Sequence, residues 1–419
     1  MNSRGNGFEY VEFPMSGESV PFFSRVLTHF AESGWEDWLA KLIVAICLSA
    51  LGGLALWVWK KVWPHIRSVW AAKRRLDRAL TAVAPDSSGL WLSHSMRVGR
   101  PSEYDRWLRT SKPIIVVANL KGGVGKTTLT ANLIAHYAIK KGERVLGIDL
   151  DFQGSLTASA LTEEDRAHLL VVESDRGLSK AAHLIDDRDA AWLRHAPDQV
   201  AGVPNAKLIS AYYSLAAMEN RVMVEWLLGK RNADIRYHLA EVLHNELIQN
   251  SFDRILIDAP PRLTTASIQA FCAATHVLIP TVLDELSTEA VAAFAEQLKI
   301  HQELWPRLKL VGVVGTMTAV SPVTPTGELR ERPLTDVEVD ALASGRITLK
   351  EALSTANTSL RDGTFMPIEA FIPDKTELSR AAGHRIVYAS PSQVQAFRDV
   401  RDAFDRLGDE IDRRIAGHA

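Results

Sequence analysis

The chain has 419 residues, of which 47% are hydrophobic and 23% are charged, a composition typical of folded proteins and not of disordered ones. This length exceeds what one ordinary domain needs, and the net charge of −2 excludes a globally basic nucleic-acid binder while leaving local basic patches open. The chain has two cysteines, Cys47 and Cys272, whose wide separation excludes a disulfide framework and a CxxC metal site.

The first distinctive segment is an apolar run near the amino terminus, Leu42–Trp59, which has 18 consecutive residues without a charge. A helix of this run is about 27 Å long at ~1.5 Å per residue, close to the ~30 Å hydrocarbon core of a bilayer. Six of the eleven tryptophans flank or close the run, as in the aromatic belt of membrane helices. We predict a transmembrane helix over residues 38–60; a cleaved signal peptide and a buried core helix are the alternatives.

The charges on either side of this run predict its orientation. Residues 1–37 carry two arginines against six acidic residues, whereas residues 60–78 carry seven basic residues against one acidic residue. The positive-inside rule then places residues 1–37 outside and everything after residue 60 in the cytoplasm, as a single-pass protein of the cell inner membrane. Residues 61–111 are predicted to form a basic juxtamembrane helix followed by a linker.

A glycine-rich run follows a β-rich apolar segment and has the sequence Lys121-Gly122-Gly123-Val124-Gly125-Lys126-Thr127-Thr128. A standard phosphate-binding loop has a glycine where Leu120 stands, so this run departs from that pattern and carries an extra lysine, Lys121. Glycines let backbone N–H groups turn toward phosphate oxygens, and the helix predicted to follow aims its N-terminus at the same anion. In such a loop Lys126 reaches the β- and γ-phosphates of ATP, and Thr127 ligates Mg²⁺. Asn119, just before the loop, is expected to form a hydrogen bond either to a phosphate or to the backbone.

Acidic residues end two of the later predicted strands. Seven strands are predicted, over residues 113–119, 144–150, 206–210, 254–259, 276–280, 309–316 and 369–372. Their alternation with helical stretches predicts an α/β fold, a mostly parallel sheet covered by helices on both faces as in P-loop NTPases. Asp149 and Asp151 end the second strand and Asp258 the fourth, so these acids are expected beside the glycine-rich run, where phosphoryl transfer needs them.

The glycine-rich run resembles the deviant Walker A motif of the ParA/MinD family of ATPases. Four further stretches resemble later motifs of that family in the same order, namely residues 144–154, 254–261, 274–280 and 370–379. The resemblance covers roughly residues 112–416. It implies that Lys121 crosses a dimer interface to the nucleotide of a partner subunit, that a homodimer forms on ATP binding, and that hydrolysis separates it.

The resemblance also decides between chemically equivalent residues. It implies that Asp151 orients the attacking water and that Pro373 lies against the adenine base. Asp258 is expected to hold Mg²⁺ through its water shell, and Asp149 to support that shell or the loop. Lys121, Lys126 and Asp151 are therefore the predicted catalytic residues, and Thr127, Asp149 and Asp258 the predicted metal site. The predicted ATP-binding residues are Gly122, Gly123, Val124, Gly125, Lys126, Thr127, Thr128 and Pro373.

Two features lie towards the end of the predicted ATPase domain, residues 112–419. Residues 320–366 are longer than the family needs and contain two capping boxes, Thr335-x-x-Glu338 and Thr348-x-x-Glu351, so we predict a small helical insertion there. Apolar residues from Val394 to Ile415 recur at spacings of three and four, which predicts an amphipathic helix packed on the sheet.

These features together predict a membrane-anchored ATPase that acts as an ATP-dependent dimerisation switch and positions or regulates a partner assembly at the cytoplasmic membrane face. The expected partner is a protein that stimulates hydrolysis or is carried as cargo. A DNA-segregation ATPase that holds DNA near the membrane is the alternative. The basic residues available for DNA are Lys375, Arg380, Arg385, Arg398 and Arg401. A regulator resembling membrane-associated bacterial tyrosine kinases is disfavoured, because the tail from Ser390 onward contains no tyrosine.

Overall fold

The computed structural model describes residues 35–417 with the exception of residues 83–87, 93–98, 177, 325 and 391–394. The chain divides into two compact units, one ending at Ala71 and the other beginning at Ala72. Most of the tail predicted to lie outside the membrane, residues 1–34, falls outside the described residues.

The first unit is dominated by one long helix, α1, Trp35–Ala82, which continues into the start of the second unit. Its stretch Asp37–Arg74 is long and apolar enough to cross a membrane. Large apolar side chains of this stretch are well exposed, with Leu48 at 64% and Trp57 at 57%. The helix is therefore not the core helix of a globular domain. The predicted basic juxtamembrane helix is part of this same continuous helix.

The second unit is built on one eight-stranded sheet. Its strands are β1 Ile114–Val117, β2 Val145–Asp149, β3 Asp198–Gln199, β4 Ala206–Ile209, β5 Arg254–Asp258, β6 His276–Val282, β7 Lys309–Thr318 and β8 Ile372–Pro373. They lie in the order β3-β4-β2-β5-β1-β6-β7-β8, and every neighbouring pair is parallel except β3 with β4. The predicted mostly parallel sheet is confirmed.

Burial explains which strands were predictable. Every residue of β1, β2 and β5 is buried, so these strands appear in the sequence as continuous apolar runs. The two-residue strand β3 has no such run and was not predicted. The last strand was predicted over residues 369–372 but lies later, because residues Ile368–Ala370 form a 3₁₀ turn before it.

Helices flank the sheet and supply the crossovers between its parallel strands. They are α2 Ser88–Leu92, α3 Tyr104–Thr110, α4 Lys126–Ile139, α5 Ser155–Ala160, α6 Glu163–Arg176, α7 Lys180–Asp186, α8 Ala190–His195, α9 Ser214–Leu227, α10 His238–Leu243, α11 Glu246–Ser251, α12 Thr265–Ala273, α13 Glu285–Ile300, α14 Asp336–Leu353, α15 Thr358–Arg361, α16 Thr376–Ala381 and α17 Gln395–Gly417. Helices α4 and α17 pack together, and α7, α9, α10 and α12 form a second group.

The closing helix α17 packs on the core as its sequence predicts. Val400, Phe404 and Ile411 are buried on one side of it. Gly408 lies where α17 meets α4, and a Cβ atom there would be 2.2 Å from Nε2 of His136. Only glycine therefore allows the two helices to approach this closely.

Helix α14 lies in the segment that was predicted to be a helical insertion. Its N-terminus has the first predicted capping box, in which Thr335 accepts from the backbone N–H of Glu338 and Glu338 accepts from that of Thr335. The second predicted capping box was wrong, because Thr348 lies inside α14 and its hydroxyl donates to the carbonyl oxygen of Ser344 at 3.2 Å. Since β7 and β8 are parallel neighbours, α14 is the crossover helix between them. That residues 320–366 are longer than the same segment in the family stays a prediction.

The C-terminal part of the predicted linker is packed into the second unit. The Tyr104 hydroxyl in α3 donates to the carbonyl oxygen of Cys272 at 2.6 Å. Trp91 in α2 is 4% exposed, and its carbonyl oxygen accepts from Nη1 of Arg236 at 2.5 Å. The chain between α1 and the sheet is thus held to the core at two described points.

Candidate nucleotide-binding site

The glycine-rich run connects β1 to α4 at the carboxyl end of the sheet. Gly123 and Gly125 have φ angles of 74° and 81°, in the left-handed region that other residues rarely adopt. Gly125 is the N-cap of α4, so the helix begins at Lys126 and its first backbone N–H groups are free to bind an anion beside the loop. The loop therefore has backbone geometry suited to an anion, and the binding of ATP by residues 122–128 stays a prediction.

Lys126 is the buried lysine of this loop, with 8% of its surface exposed. Its Nζ donates to the carbonyl oxygen of Lys121 at 2.9 Å, which holds the ammonium group across the mouth of the loop. Burial lowers the pKa of Lys126, while the negative charges of Asp258 and Asp151 act in the opposite direction. This placement of a cation beside free N–H groups suits the phosphates of a nucleotide.

Thr127 and Asp258 lie together beneath the loop. The Thr127 hydroxyl donates to Oδ2 of Asp258 at 2.7 Å, and Oδ1 of Asp258 is buried without a hydrogen-bond partner among the described residues. Burial, together with the nearby charge of Asp149, raises the pKa of Asp258 well above its usual range. One carboxylate and one hydroxyl fit Mg²⁺, which takes few protein carboxylates and keeps several waters.

Asp149 shapes the neighbouring loop. The parallel register of β2 and β5 places it directly opposite Asp258. Its Oδ1 accepts from the backbone N–H of Asp151 at 3.1 Å, and its Oδ2 accepts from both the N–H and the hydroxyl of Thr157 at 2.8 Å. Burial raises the pKa of Asp149 to about 7. Of the two roles predicted for Asp149, these bonds favour support of the loop over ligation of the metal.

Asp151 sits at the tip of that loop. Its Oδ1 accepts from the backbone N–H of Gln153 at 3.0 Å, and among the described residues its Oδ2 has no hydrogen-bond partner, which leaves it able to bind a water molecule. The loop ends at Gly154, whose φ of 65° opens helix α5. A Cβ atom at Gly154 would lie 2.7 Å from the carbonyl oxygen of Ala211, so the backbone at this point is closely packed.

Lys121 projects away from its own loop. Its Nζ contacts Oγ of Ser287 at 2.5 Å and Oδ1 of Asp284 at 3.4 Å, and about a third of the side chain, 34%, is exposed. Its backbone N–H donates to Oδ1 of Asn119, whose amide in turn donates to the carbonyl oxygen of Pro280. Asn119, for which a phosphate or a backbone partner was expected, therefore binds backbone.

An apolar pocket of about 250 Å³ opens beside the loop. Gly125 and Thr128 line one side and Pro373 another, so the residue predicted to contact the base lies next to the predicted phosphate site. Met317 also lines this pocket and has a φ of 53°, at a bulge in the pairing of β7 with β8. No pattern in the sequence indicates Met317, because a bulge depends on the pairing of distant strands.

Glu219 is a second residue that sequence reasoning missed. It lies on α9, is 8% exposed, and its Oε1 accepts from the backbone N–H of Ala266 at 2.9 Å. Ala266 stands at the start of α12, a few residues after Asp258. Burial raises the pKa of Glu219. The bond ties helix α9 to the segment that follows the predicted metal site.

Comparisons with known proteins agree with this geometry. A family model described as an AAA domain matches residues 112–310. The chain is 34% identical over 212 residues to the chromosome-partitioning ATPase Soj of Thermus thermophilus, across 50% of this chain and 71% of that protein. It is 31% identical over 205 residues to the sporulation initiation inhibitor protein Soj of Bacillus subtilis, across 49% and 72%.

The fold matches solved structures as well. The structure of pNOB8 ParA superposes with a TM-score of 0.53 at 24% identity, over 73% of this chain and 99% of that one. Two observations agree on the family. One is the identity to Soj over more than two thirds of its length, and the other is the phosphate loop beside two strands that end in carboxylates. The chain belongs to the ParA family of P-loop ATPases, enzymes that hydrolyse ATP with Mg²⁺.

Proposed function

We propose that this ATPase is a membrane-anchored switch that dimerises on ATP and positions or regulates a partner assembly at the cytoplasmic face of the cell inner membrane. The observation that carries the proposal is the placement of Lys121. Its side chain leaves the loop whose phosphates it would otherwise contact and lies partly exposed against Asp284 and Ser287. In the proposed dimer Lys121 exchanges these two contacts for the nucleotide of the second subunit.

The site residues divide the chemistry of ATP hydrolysis among them. Lys126 would neutralise the β- and γ-phosphates, and Thr127 and Asp258 would hold Mg²⁺. When bound, Mg²⁺ supplies positive charge to the phosphate oxygens on which negative charge develops. Asp151, on the loop that Asp149 shapes, accepts a hydrogen bond from the attacking water and orients it toward the γ-phosphate. Pro373 bounds the pocket for the base.

The anchor is proposed from helix α1. The stretch Asp37–Arg74 has the length and composition of a membrane-crossing helix and is exposed in the first unit. Basic residues concentrate after residue 60, which supports a cytoplasmic ATPase domain with residues 1–37 on the other side. Residues 38–60 are the proposed span, and residues 61–111 lead from it to the ATPase domain.

DNA segregation is the second candidate, and the name of the Thermus thermophilus relative, a chromosome-partitioning ATPase, favours it. The proposed DNA-binding residues give it less support. Lys375 pairs with Asp399, and Arg401 donates to the carbonyl oxygens of Tyr388 and Ser390. The guanidinium of Arg385 lies 5.7 Å from the ring centre of Phe397. These intramolecular contacts occupy three of the five basic residues that were proposed to bind DNA. We therefore favour a protein partner.

Sedimentation of the full-length protein in detergent micelles tests the switch. We expect the wild type to become dimeric with ATP and Mg²⁺, and Lys121→Ala to stay monomeric while it still binds ATP. Lys207→Ala, which removes an exposed lysine from β4, is the matched control and should dimerise normally. Dimerisation of Lys121→Ala at the wild-type ATP concentration would contradict the role given to this lysine.

Affinity purification of full-length Asp151→Ala distinguishes the two partner classes. This variant should bind ATP without hydrolysing it and therefore remain in its partner-binding state. We expect it to enrich a specific protein relative to Lys121→Ala, with DNA no more abundant than in that control. Enrichment of DNA without a protein would favour the segregation alternative.

A further inference from the structure

Helix α14 has one face packed on the core and one face exposed to solvent. Leu342, Leu349 and Leu353 are buried, and Gly345 fits against Thr288 of helix α13, where a Cβ atom would be 3.0 Å from its side chain. The capping box at Thr335 fixes where the helix begins. The position and rotation of α14 are therefore set by its inner face.

The outer face combines apolar and charged residues in an ordered pattern. Val339 is 50% exposed and Ile347 is 61% exposed, and the small residue Ala343 lies midway between them. These three residues are spaced by four, so they form one stripe along the helix. We call the stripe and the four charged residues beside it the α14 strip. The four charged residues are Asp336, Asp340, Arg346 and Lys350.

The charges of the α14 strip are antisymmetric about Ala343. Both acidic residues lie on its N-terminal side, and both basic residues lie on its C-terminal side at equal distances along the chain. Asp336 has an exposed ion pair with Arg332 at 2.6 Å, whereas Asp340, Arg346 and Lys350 make no ion pair with any residue that the structure describes. These three charges are thus available to an outside partner.

We propose that the α14 strip binds the α14 strip of a second copy of this chain, with the two helices antiparallel about a two-fold axis at Ala343. Rotation by this axis places Val339 opposite the partner's Ile347. It places Asp340 opposite the partner's Arg346 and Asp336 opposite the partner's Lys350. Each pair occurs twice, as a self-complementary two-fold interface requires. Alanine at the centre allows the helices to approach closely.

The opposite charges would no longer face each other if the two helices were parallel, or if either helix were turned about its own axis. Parallel pairing sets Asp340 against the partner's Asp340 and Arg346 against the partner's Arg346, and like charges in contact oppose association. The sequence therefore favours one geometry and one occupant. Val337, although 70% exposed, lies outside the stripe and takes no part in the proposed contact.

The contact is weak by itself, because exposed ion pairs contribute little and the apolar stripe is short. Confinement of both copies to one membrane raises their effective concentration and favours pairing. None of the strip residues lines the pocket beside the glycine-rich run. The proposal takes this contact to be distinct from the proposed ATP dimer on which it builds. Two different two-fold contacts on one chain would then join ATP dimers into rows.

Disulfide trapping in vesicles that contain the full-length protein tests the proposal. Cys47 is replaced by serine because it is exposed in α1, whereas Cys272 is buried and stays. Ala343→Cys should then give a disulfide-linked dimer, since its two copies meet at the axis. Ser344→Cys is the matched control: it is exposed on the same helix but turned away from the stripe, and it should cross-link roughly tenfold less.

The same measurement separates this contact from the ATP dimer. Cross-linking of Ala343→Cys should occur without ATP and should persist when Lys121→Ala is added. A cross-link that needs both ATP and Lys121 would assign the α14 strip to the ATP dimer and overturn the proposal. Equal cross-linking of Ala343→Cys and Ser344→Cys would show random collision and would also overturn it.

A charge swap tests the direction of the helices. Asp340→Arg alone sets two arginines against each other at both ends of the contact, and we expect the Ala343→Cys yield to fall roughly fivefold. Adding Arg346→Asp restores opposite charges and should restore the yield. Arg361→Asp, an exposed reversal outside the strip, should have no effect. A double variant whose cross-linking yield stays as low as that of the single variant would exclude the antiparallel pair. Protection of the strip by another protein or by lipid, without any cross-link, would exclude it as well.

Discussion

At the scale of single residues, Glu219 connects helix α9 to the segment that follows Asp258. In Glu219→Ala the backbone N–H of Ala266 loses its partner, so the segment after the metal site is less well held. We expect ATP hydrolysis to fall about tenfold while ATP binding is unchanged, since small misplacements of catalytic groups reduce rates strongly. Steady-state hydrolysis and nucleotide titration measure the two effects. Arg221→Gln, on the exposed side of α9, is the control, and a Glu219→Ala rate equal to the control would contradict this role.

Gly154 allows a comparison of backbone strain with steric overlap. Gly142 and Gly154 have similar φ angles of 70° and 65°, but an added Cβ atom meets nothing within 4 Å at Gly142 and lies 2.7 Å from a carbonyl oxygen at Gly154. We expect Gly142→Ala to lower the free energy of unfolding by about 1 kcal/mol and Gly154→Ala by about 3 kcal/mol. Urea denaturation followed by tryptophan fluorescence gives both values. Equal losses would mean that Ala211 moves aside.

The residues of the site differ in how far the sequence predicts them. Asp149 and Asp258 end continuous apolar runs, so their place at the carboxyl edge of the sheet follows from the pattern alone. The pattern does not show whether Asn119 binds phosphate or backbone, because its partner Pro280 is distant in sequence. Glu219 and Met317 could not be found for the same reason: each enters the site through contacts between distant segments.

At the scale of elements, helix α3 is held to the core through His244. The ring of Trp107 stacks on that of His244 at 5.8 Å, and Oγ of Ser111 lies 2.6 Å from its Nδ1. Burial lowers the pKa of His244 to about 4 from the usual histidine value of 6.5. The unfolded chain therefore binds a proton between pH 6.5 and pH 4 that the folded chain does not.

This difference predicts a dependence of stability on pH. The contribution of His244 is fully present above pH 6.5 and is lost as the pH falls to about 4, by about 3 kcal/mol. His238, whose pKa is also lowered to about 4 by burial, acts in the same direction. Melting temperatures between pH 7 and pH 4.5 should therefore fall less steeply in His244→Gln than in wild type. His195→Gln, at an exposed position, should keep the wild-type slope, and an unchanged slope in His244→Gln would contradict the assignment.

The elements that the sequence predicts are those with a continuous or periodic apolar pattern. Six of the seven predicted strands and the amphipathic helix α17 belong to this class. Strand β3 has two residues and exists only because β4 lies beside it, and β8 moves to Ile372–Pro373 because a 3₁₀ turn takes its predicted place. Local pattern does not encode such neighbours, so these two elements depend on the assembled sheet.

At the scale of the whole molecule, the proposed anchor changes what the ATPase can do. Two copies in one membrane share a plane and an orientation, which favours both the proposed ATP dimer and the proposed α14 contact at low copy number. The apolar run and its charged flanks were evident in the sequence. The α14 strip was not, because an exposed stripe can be recognised only when the packed face of the helix is known.

The orientation of the anchor gives the last prediction. Because basic residues follow the span and acidic residues precede it, we expect residues 72–419 to be cytoplasmic. Protease added to intact spheroplasts should leave this unit whole, and the same protease should digest it in inverted membrane vesicles, as immunoblotting against an epitope placed after residue 417 would show. A cytoplasmic protein that survives in spheroplasts but is cleaved after lysis is the control. Digestion of the unit in intact spheroplasts would mean that the orientation is reversed, and release of the unit from washed membranes would mean that α1 does not anchor it.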